Sequence, residues 1–441
     1  MSGNKMLWKQ AINKLGITTL TEMQIRTLEV ALNHNDIILL SPTGSGKTLA
    51  FLLPVLESLQ AGIKQVQVLI ITPSRELAQQ IEMVFRSLGT GFKVNSCYGG
   101  HSKSTEKNNF SPPPAVLIGT PGRLADHIRS GNFLTNFIST LILDEFDKSL
   151  ELGFQQEMLF IISRLNAIKK RILSSATDLD EIPGFTGIKS PYKLNYLLKE
   201  NSSNNLIINI VKSQNKDKLE CLFKLLCHLG AASTLVFCNH REAVERISNY
   251  LNKSGIINDY FHGGLEQSER ERMLVRFRNG SSNILITTDL ASRGLDIPEI
   301  SYIIHYQLPA TETEFIHRNG RTARMHSSGS SFLILSEEET APGYIKSCFH
   351  EFEIKEGLTF PEKPSWQTLY IGGGKKDKIN KMDIVGFLIK QGGLGKDELG
   401  LIDVKDHHSY AAIKRELIQS VLLKVKNSKI KNKKVKIEIS Y

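Results

Sequence analysis

Two groups of residues in this chain have the types and spacing for phosphate chemistry. The octet Ser41-Pro42-Thr43-Gly44-Ser45-Gly46-Lys47-Thr48 follows the apolar run Ile37-Ile38-Leu39-Leu40 and precedes Leu49-Ala50-Phe51-Leu52-Leu53. Strand, glycine-rich loop and helix in that order form a cradle for nucleotide phosphates. Gly44 and Gly46 let the backbone of 43–46 turn its N–H groups toward anionic oxygens, and the helix N-terminus adds partial positive charge. Lys47 is expected to reach the β- and γ-phosphates, and Thr48 to offer its hydroxyl to Mg²⁺. Ser41 stands where the general pattern has its first glycine. The second group, Asp144-Glu145, ends the short apolar run Leu141-Ile142-Leu143. A carboxylate pair there can hold Mg²⁺ through water and polarise an attacking water. Together the two groups predict hydrolysis of a nucleoside triphosphate. Lys47, Asp144 and Glu145 are the catalytic candidates, and Thr48 and Asp144 the candidates for the metal.

Elements elsewhere must hold these groups. A chain of 441 residues exceeds one hydrophobic core, so two or three domains are expected. Apolar residues make up 41% and charged residues 23%, the balance of a soluble globular protein. The start, MSGNKMLWKQ, has no apolar signal core, and no apolar run approaches bilayer length. The five cysteines form no C-x-x-C pair, which favours reduced, buried thiols over metal binding. The expectation is a cytoplasmic, monomeric protein without a membrane partner. Of the net charge of +10, residues 365–441 carry +8, from 16 Lys+Arg against 8 Asp+Glu. Apolar periodicity in that segment favours a folded module with an anionic partner over a solvated tail.

Residues 1–36 read as two helices broken at Leu15-Gly16. Gln24, just ahead of the loop, is either a reader of adenine N6 and N7 or a solvent-facing helix residue. From 66 to 177, apolar strands at 68–71, 93–96, 116–118, 141–143 and 172–173 alternate with helical patterns. That alternation predicts an α/β fold, a parallel sheet covered by helices, with ligands beyond the carboxyl ends of the strands. The informative residues lie at those ends: Pro73 to Ala78, Gly99-Gly100, Thr120-Pro121-Gly122-Arg123, Asp144 to Asp147 and Ser175-Ala176-Thr177. A polar joint at 200–205 leads to a second α/β stretch. It carries Val236-Phe237-Cys238-Asn239, Gln267-Ser268-Glu269-Arg270, Thr288 to Asp296, and His317-Arg318-Asn319-Gly320-Arg321-Thr322-Ala323-Arg324.

In order and content these motifs resemble the DEAD-box RNA helicases, over roughly residues 6–335. The resemblance implies two RecA-like domains, 1–200 and 205–359, joined by a hinge with ATP and Mg²⁺ in the cleft between them. It places Gln24, Gly294 and Asp296 at the nucleotide and Arg321 and Arg324 at the transferring phosphoryl group. His317, Arg321 and Arg324 are spaced four and three apart, the spacing of one helical face. Asp147, Ser175, Thr177 and His317 would couple the sites, with Ser175 and Thr177 pairing with Asp147 on closure. RNA would lie on Arg75, Gly99, Gly100, Thr120, Gly122 and Arg123 of the first domain, and on Asn239, Gln267, Arg270 and Thr288 of the second. Few aromatics stand among these, so contact with the RNA backbone is expected to dominate. Several positions depart from the family pattern. Leu20 replaces proline, Glu22-Met23 replaces Pro-Ile, Phe146 replaces alanine, and Asn319 and Ala323 replace isoleucine and glycine. The family's upstream adenine-stacking aromatic has no clear counterpart, Trp8 being nearest. Two other readings stay open: an ATP-binding ribosomal-RNA clamp without productive hydrolysis, and a DNA-directed helicase.

Beyond the connector Phe360-Pro361-Glu362-Lys363-Pro364, residues 365–441 read as strand 367–371, helix 381–391, strands 400–404 and 409–413, helix 414–426 and strand 434–439. That βαββαβ order is the RNA-recognition-motif pattern, a small α+β domain, but without its base-stacking aromatic signature. The runs GGGKKDKIN and KIKNKKVKIEI make it similar to the RNA-binding domain of the DbpA/YxiN helicases, which recognise a hairpin of large-subunit ribosomal RNA. The resemblance implies a targeted remodeller of pre-ribosomal particles. Lys375, Lys376, Lys378 and Lys431 are the candidate RNA contacts.

Overall fold

The structure, a computed structural model, describes residues 7–100, 103–179, 181–197, 206–292, 297, 300–322, 329–345, 349–355, 357, 359–426 and 428–441. The chain divides into two compact units, the first ending at Ser203. In the first, α1 (Leu7–Lys14) and α2 (Glu22–Asn33) precede β1 (Asp36–Leu40), α3 (Lys47–Ser58), β2 (Val68–Ile71) and α4 (Arg75–Ser87). Then come β3 (Val94–Cys97), α5 (Lys103–Asn109), β4 (Val116–Gly119), α6 (Pro121–Arg129), β5 (Thr140–Leu143) and α7 (Phe146–Glu151). α8 (Gln155–Ser163), β6 (Lys170–Ser175) and β7 (Tyr192–Asn195) complete it. The strands form one parallel sheet in the order β3-β4-β2-β5-β6-β1-β7. β2, β4 and β5 are buried along their whole length, which is why they read as unbroken apolar runs. Separate cores cover the two faces, one around Phe51, Leu53 and Phe85 and the other around Leu117, Leu141 and Phe146. Because β5, β6 and β1 are parallel neighbours, their carboxyl ends bring Asp144, Ser175 and the 41–48 loop to one edge of the sheet.

The second unit begins with β8 (Leu206–Ser213), α9 (Leu219–Leu229), β9 (Thr234–Phe237), α10 (Arg241–Lys253), β10 (Asp259–Phe261) and α11 (Gln267–Arg278). β11 (Ile284–Thr287), β12 (Tyr302–His305), α12 (Glu312–Asn319), β13 (Gly329–Ser336) and β14 (Phe349–Glu351) follow. These strands again form a parallel sheet, ordered β10-β11-β9-β12-β13-β8-β14. The two RecA-like parallel sheets match the expected fold class. β7 escapes the sequence reading because it is no continuous apolar run, with only Leu194 buried, and the edge strand β14 is exposed along its length.

A small antiparallel sheet lies in the same unit. β15 (Trp366–Ile371), α13 (Lys381–Lys390), β16 (Leu399–Val404), β17 (Ser409–Lys414), α14 (Ile418–Val425) and β18 (Ile437–Ile439) give the expected βαββαβ order, with strands arranged β16-β17-β15-β18. α14 starts four residues later than its apolar pattern suggests, because a 3₁₀ turn occupies Arg415–Leu417. Both helices pack on one face, around Leu369, Ile384, Leu388, Ile413 and Val421. Part of the other face meets the end of α11. Thr368 shares a 2.6 Å hydrogen bond with Ser281 and accepts another from Asn279 at 3.2 Å. The Arg278 guanidinium meets Asp403 at 2.6 Å, and Arg415 donates to the Ser281 carbonyl at 2.8 Å. Arg276 bridges the buried Asp259 carboxyl at 2.9 Å and the Ser440 carbonyl. Burial lifts that carboxyl to about 6 despite Arg276. Among the described residues, no helix is long and apolar enough to cross a membrane.

Candidate active site and nucleic-acid interface

The loop after β1 turns at Gly44 (φ 81°) and Gly46 (φ 91°), a region that side chains with a Cβ rarely adopt. Gly46 has a second reason to lack one: a Cβ there would lie 2.7 Å from Gln24 Nε2. Gln24 itself is neither solvent-facing nor open at both ends of its amide. Its Oε1 accepts from Thr21 N–H in a capping box at the start of α2, and its Nε2 reaches the Gly46 carbonyl at 3.4 Å. Ser41, in the place of a glycine, is buried and donates to Ser45 Oγ at 2.6 Å, while Ser45 donates to the Pro42 carbonyl at 2.8 Å. The Lys47 ammonium folds onto the Ser41 and Pro42 carbonyls. Thr43 and Thr48 flank this arrangement on the loop and at the first turn of α3. The cation is held at the mouth of a helix N-terminus, which favours an anion.

Asp144 is buried at the end of β5 and accepts a hydrogen bond from Ser174 of β6. Burial, then the neighbouring Glu145, raises its carboxyl to about 6, against the opposing pull of Ser174 and Lys47. Glu145 is also buried and takes left-handed backbone angles (φ 47°, ψ 53°) as the residue before α7. For a residue with a side chain that conformation is strained, and such strain gathers at functional sites. Phe146 has no exposed surface. It fills the core beneath the sheet with Met158 and Leu173, its ring 6.3 Å from that of Phe185. Space for this departure is therefore provided within the domain. Thr177 Oγ1 donates to Asp147 Oδ2 at 2.9 Å, and Ser175 Oγ donates to the Thr177 carbonyl. Thr177 thus pairs with Asp147 inside the first domain, and Ser175 bonds Thr177. Trp8 packs partly buried against the α1 side of the core.

Arg75 opens α4, and its guanidinium lies beside Gly99, where a Cβ would come within 3.1 Å of Nη2. Gly100 (φ 99°) continues that turn. Thr120 and Gly122 stand at the first turn of α6, and the space a Gly122 Cβ would enter is open, so internal packing does not demand this glycine. Arg123 is not a surface cation. It is buried, donates to the Tyr98 carbonyl at 3.2 Å and pairs with Glu106 at 3.2 Å, and Glu106 also meets His127 at 2.8 Å.

In the second unit the ends of β11, β9 and β12 meet around Arg318, which has no exposed surface. Its guanidinium takes Asp289 with both oxygens (2.7 and 2.8 Å), the Gln307 carbonyl (2.9 Å) and Asn239 Oδ1 (2.8 Å), over the Phe237 ring at 5.2 Å. Asn239 also donates to the Leu308 carbonyl at 3.0 Å. Arg318 and Asp289 were not singled out from sequence, although opposite charges within two neighbouring motifs were a usable signal. Thr288 adjoins Asp289. Gln267 and Arg270 lie on the first turn of α11, Arg270 buried over the Phe261 ring. His317 is buried in α12, but the shared helical face fails: the helix ends at Asn319, Gly320 caps it, and Arg321 lies in the following turn, also buried. Gly294, Asp296 and Arg324 lie outside the described residues. Asn319 faces the fully buried His305 at 3.3 Å, and Ser331 meets the same ring nitrogen at 3.1 Å. Burial and Arg318 depress that imidazole to about 3.

In the small domain, the turns bearing the candidate lysines are tied together. Lys431 donates to the Lys378 carbonyl at 2.9 Å and pairs with Asp383 at 2.7 Å, while Lys433 pairs with Asp377 at 3.1 Å. Lys376 approaches His407 at 3.3 Å and Lys375 is exposed. Lys378 and Lys431 have positive φ, which sharpens both turns.

Comparison with known proteins fits this geometry. The family model for DEAD/DEAH box helicases matches residues 21–181, that for the helicase conserved C-terminal domain 217–326, and that for the DbpA RNA binding domain 368–439. The ATP-dependent RNA helicase DbpA of Escherichia coli (strain K12) is 31% identical over 97% of this chain and 96% of its own length. The chain belongs to the DEAD/DEAH box helicase family. It is an ATP-dependent RNA helicase of the DbpA type, carrying that type's RNA binding domain. It is also similar to the ATP-dependent rRNA helicase RRP3 of Meyerozyma guilliermondii, 33% identical over 81% of this chain and 75% of that one. Among solved structures, Mss116p bound to ssRNA and AMP-PNP is similar with a TM-score of 0.69 and 25% identity, over 79% of this chain and 78% of that one.

Proposed function

We propose that this helicase locally unwinds large-subunit ribosomal RNA during ribosome assembly, as a cytoplasmic monomer with domains at 1–200, 205–359 and 365–441. Support comes from the DbpA RNA binding domain at 368–439 and from the lysine-bearing turns that Lys431 and Lys378 hold together. The rRNA helicase named among the relatives points to the same substrate class. In the first domain, Lys47 and the 43–48 backbone bind the ATP phosphates, Gln24 lies at the adenine, and Glu145 orients the attacking water. Mg²⁺ fits Thr48 and Asp144: burial and the neighbouring Glu145 disfavour the charged Asp144 carboxyl, and a bound cation would offset both. When bound, the ion supplies charge stabilisation at the phosphates. Arg321, and with it Arg324, Gly294 and Asp296, serves the nucleotide from the second domain, Arg321 stabilising charge on the transferring phosphoryl group. Asp147, Ser175, Thr177 and His317 link nucleotide state to RNA. Arg75, Gly99, Gly100, Thr120, Gly122, Arg123, Asn239, Gln267, Arg270 and Thr288 carry the RNA strand, with Arg123 acting by fixing the loop around Tyr98.

Crosslinking the full chain to total cellular RNA and mapping the adducts tests the target. Adducts concentrated on one hairpin of large-subunit ribosomal RNA are expected. Adducts spread evenly over messenger and small-subunit RNA would rule the assignment out.

A further inference from the structure

Three successive carbonyls lead from β12 into α12, and each is held by a different side chain. The Gln307 carbonyl accepts from Arg318 Nη1 at 2.9 Å, and the Leu308 carbonyl from Asn239 Nδ2 at 3.0 Å. The Pro309 carbonyl accepts from the Tyr344 hydroxyl. Thr311 then caps α12, its side chain accepting from the Glu314 N–H at 3.2 Å. Arg318 and Asn239 lie within the helicase C-terminal match, whereas Tyr344 stands beyond residue 326, where that match ends. The 337–345 segment that carries it is also pinned near its start. Glu339 takes the Lys218 ammonium at 2.8 Å and the Ser336 N–H at 2.9 Å. Burial raises the Tyr344 phenol above its ordinary value, so the hydroxyl stays a donor at neutral pH. Its ring packs against Phe315 of α12, centroids 5.9 Å apart. Phe315 in turn stacks on His305 at 5.2 Å, and His305 on Phe237 at 6.3 Å. Arg318, three residues after Phe315, lies over the Phe237 ring at 5.2 Å. α12 is therefore seated on a two-ring stack through Phe315 and Arg318, with Tyr344 holding both its entry and Phe315. Arg321 lies buried in the turn that follows this eight-residue helix.

We propose that Tyr344 is a positioning residue for ATP hydrolysis. Its hydroxyl fixes the entry of α12, its ring fixes Phe315, and the helix so held sets where Arg321 is presented. Tyr344 acts through the helix and not on the nucleotide. Placement of this kind carries weight because a displacement of about 1 Å at a reacting centre can cost as much as about a hundredfold in rate. The inference rests on Arg321 serving the transferring phosphoryl group, and it deepens that reading by naming what holds the arginine in place.

The test is single-turnover phosphate release by the full chain with saturating large-subunit ribosomal RNA. Tyr344→Phe, which removes only the hydroxyl, should slow release roughly three- to tenfold, the worth of one neutral hydrogen bond carried into the barrier. Its affinity for a fluorescent ATP analogue and for the RNA should match that of the unsubstituted chain, a split that general loosening of the fold would not give. Arg321→Lys, which keeps the charge but loses the planar fork, should itself be slow. Adding Tyr344→Phe to it should cost less than about a further twofold, because the group being placed is already lost. Release by Tyr344→Phe at the parent rate, or a loss that multiplies in full onto Arg321→Lys, would overturn the positioning role. Undiminished release in Arg321→Lys would instead overturn the assignment of Arg321 beneath it.

Discussion

Arg318 and Asp289 meet edge to edge, Nε to Oδ1 at 2.7 Å and Nη2 to Oδ2 at 2.8 Å, with the guanidinium wholly withdrawn from water. The same guanidinium holds Asn239 and the Gln307 carbonyl, so one cation fixes the ends of three strands. Removing one partner of a buried ion pair leaves an uncompensated charge, at roughly 3–5 kcal/mol. Asp289→Asn should therefore lower the denaturant midpoint of the second unit clearly. A midpoint equal to that of the unsubstituted chain would show that the pair does not organise this end of the sheet.

Gly46→Ala should weaken ATP binding by about tenfold or more, because its left-handed backbone angle alone costs about 1–2 kcal/mol with a Cβ present. The added methyl also collides with Gln24 Nε2 at 2.7 Å. Gly62→Ala is the control, since nothing lies within 4 Å of its Cβ position. Equal nucleotide affinity in both variants, by titration with a fluorescent ATP analogue, would refute the requirement.

Phe146→Ala would restore the residue that the DEAD-box pattern has here, yet it should destabilise this chain. The ring is fully buried among Met158, Leu173 and Phe185, and truncating such a residue costs about 3–5 kcal/mol. Thermal unfolding checks the sign. A variant at least as stable as the parent would mean that the pocket collapses without loss.

His305 should make the second domain acid-sensitive. Its imidazole titrates near 3 when folded against 6.5 as the ordinary value, so below pH 6.5 the unfolded chain takes up the proton first. Stability from this group is present above pH 6.5 and is lost as pH falls toward 3, by roughly 2 kcal/mol between pH 6.5 and 5. Denaturant unfolding at pH 7 and pH 5 should show that extra loss in the parent and not in His305→Gln. Parallel pH slopes in the two chains would contradict it.

The parallel sheets and the phosphate loop were legible because fully buried strands read as unbroken apolar runs and glycine spacing marks the turn. Asp144 could likewise be placed at a strand end, because the apolar run 141–143 stops there. Arg123 and Arg321 could not be judged for exposure, since burial depends on partners distant in sequence such as Glu106. The end of α12 at Asn319 was hidden because arginine spacing alone resembles a continued helix.

Phosphate release by the full chain, with and without saturating large-subunit ribosomal RNA, probes the proposed hydrolytic centre most directly. RNA should accelerate release in the unsubstituted chain, and Glu145→Gln should abolish release while still binding ATP. Turnover that ignores RNA, or that persists undiminished in Glu145→Gln, would contradict an RNA-driven motor centred on Lys47 and Glu145.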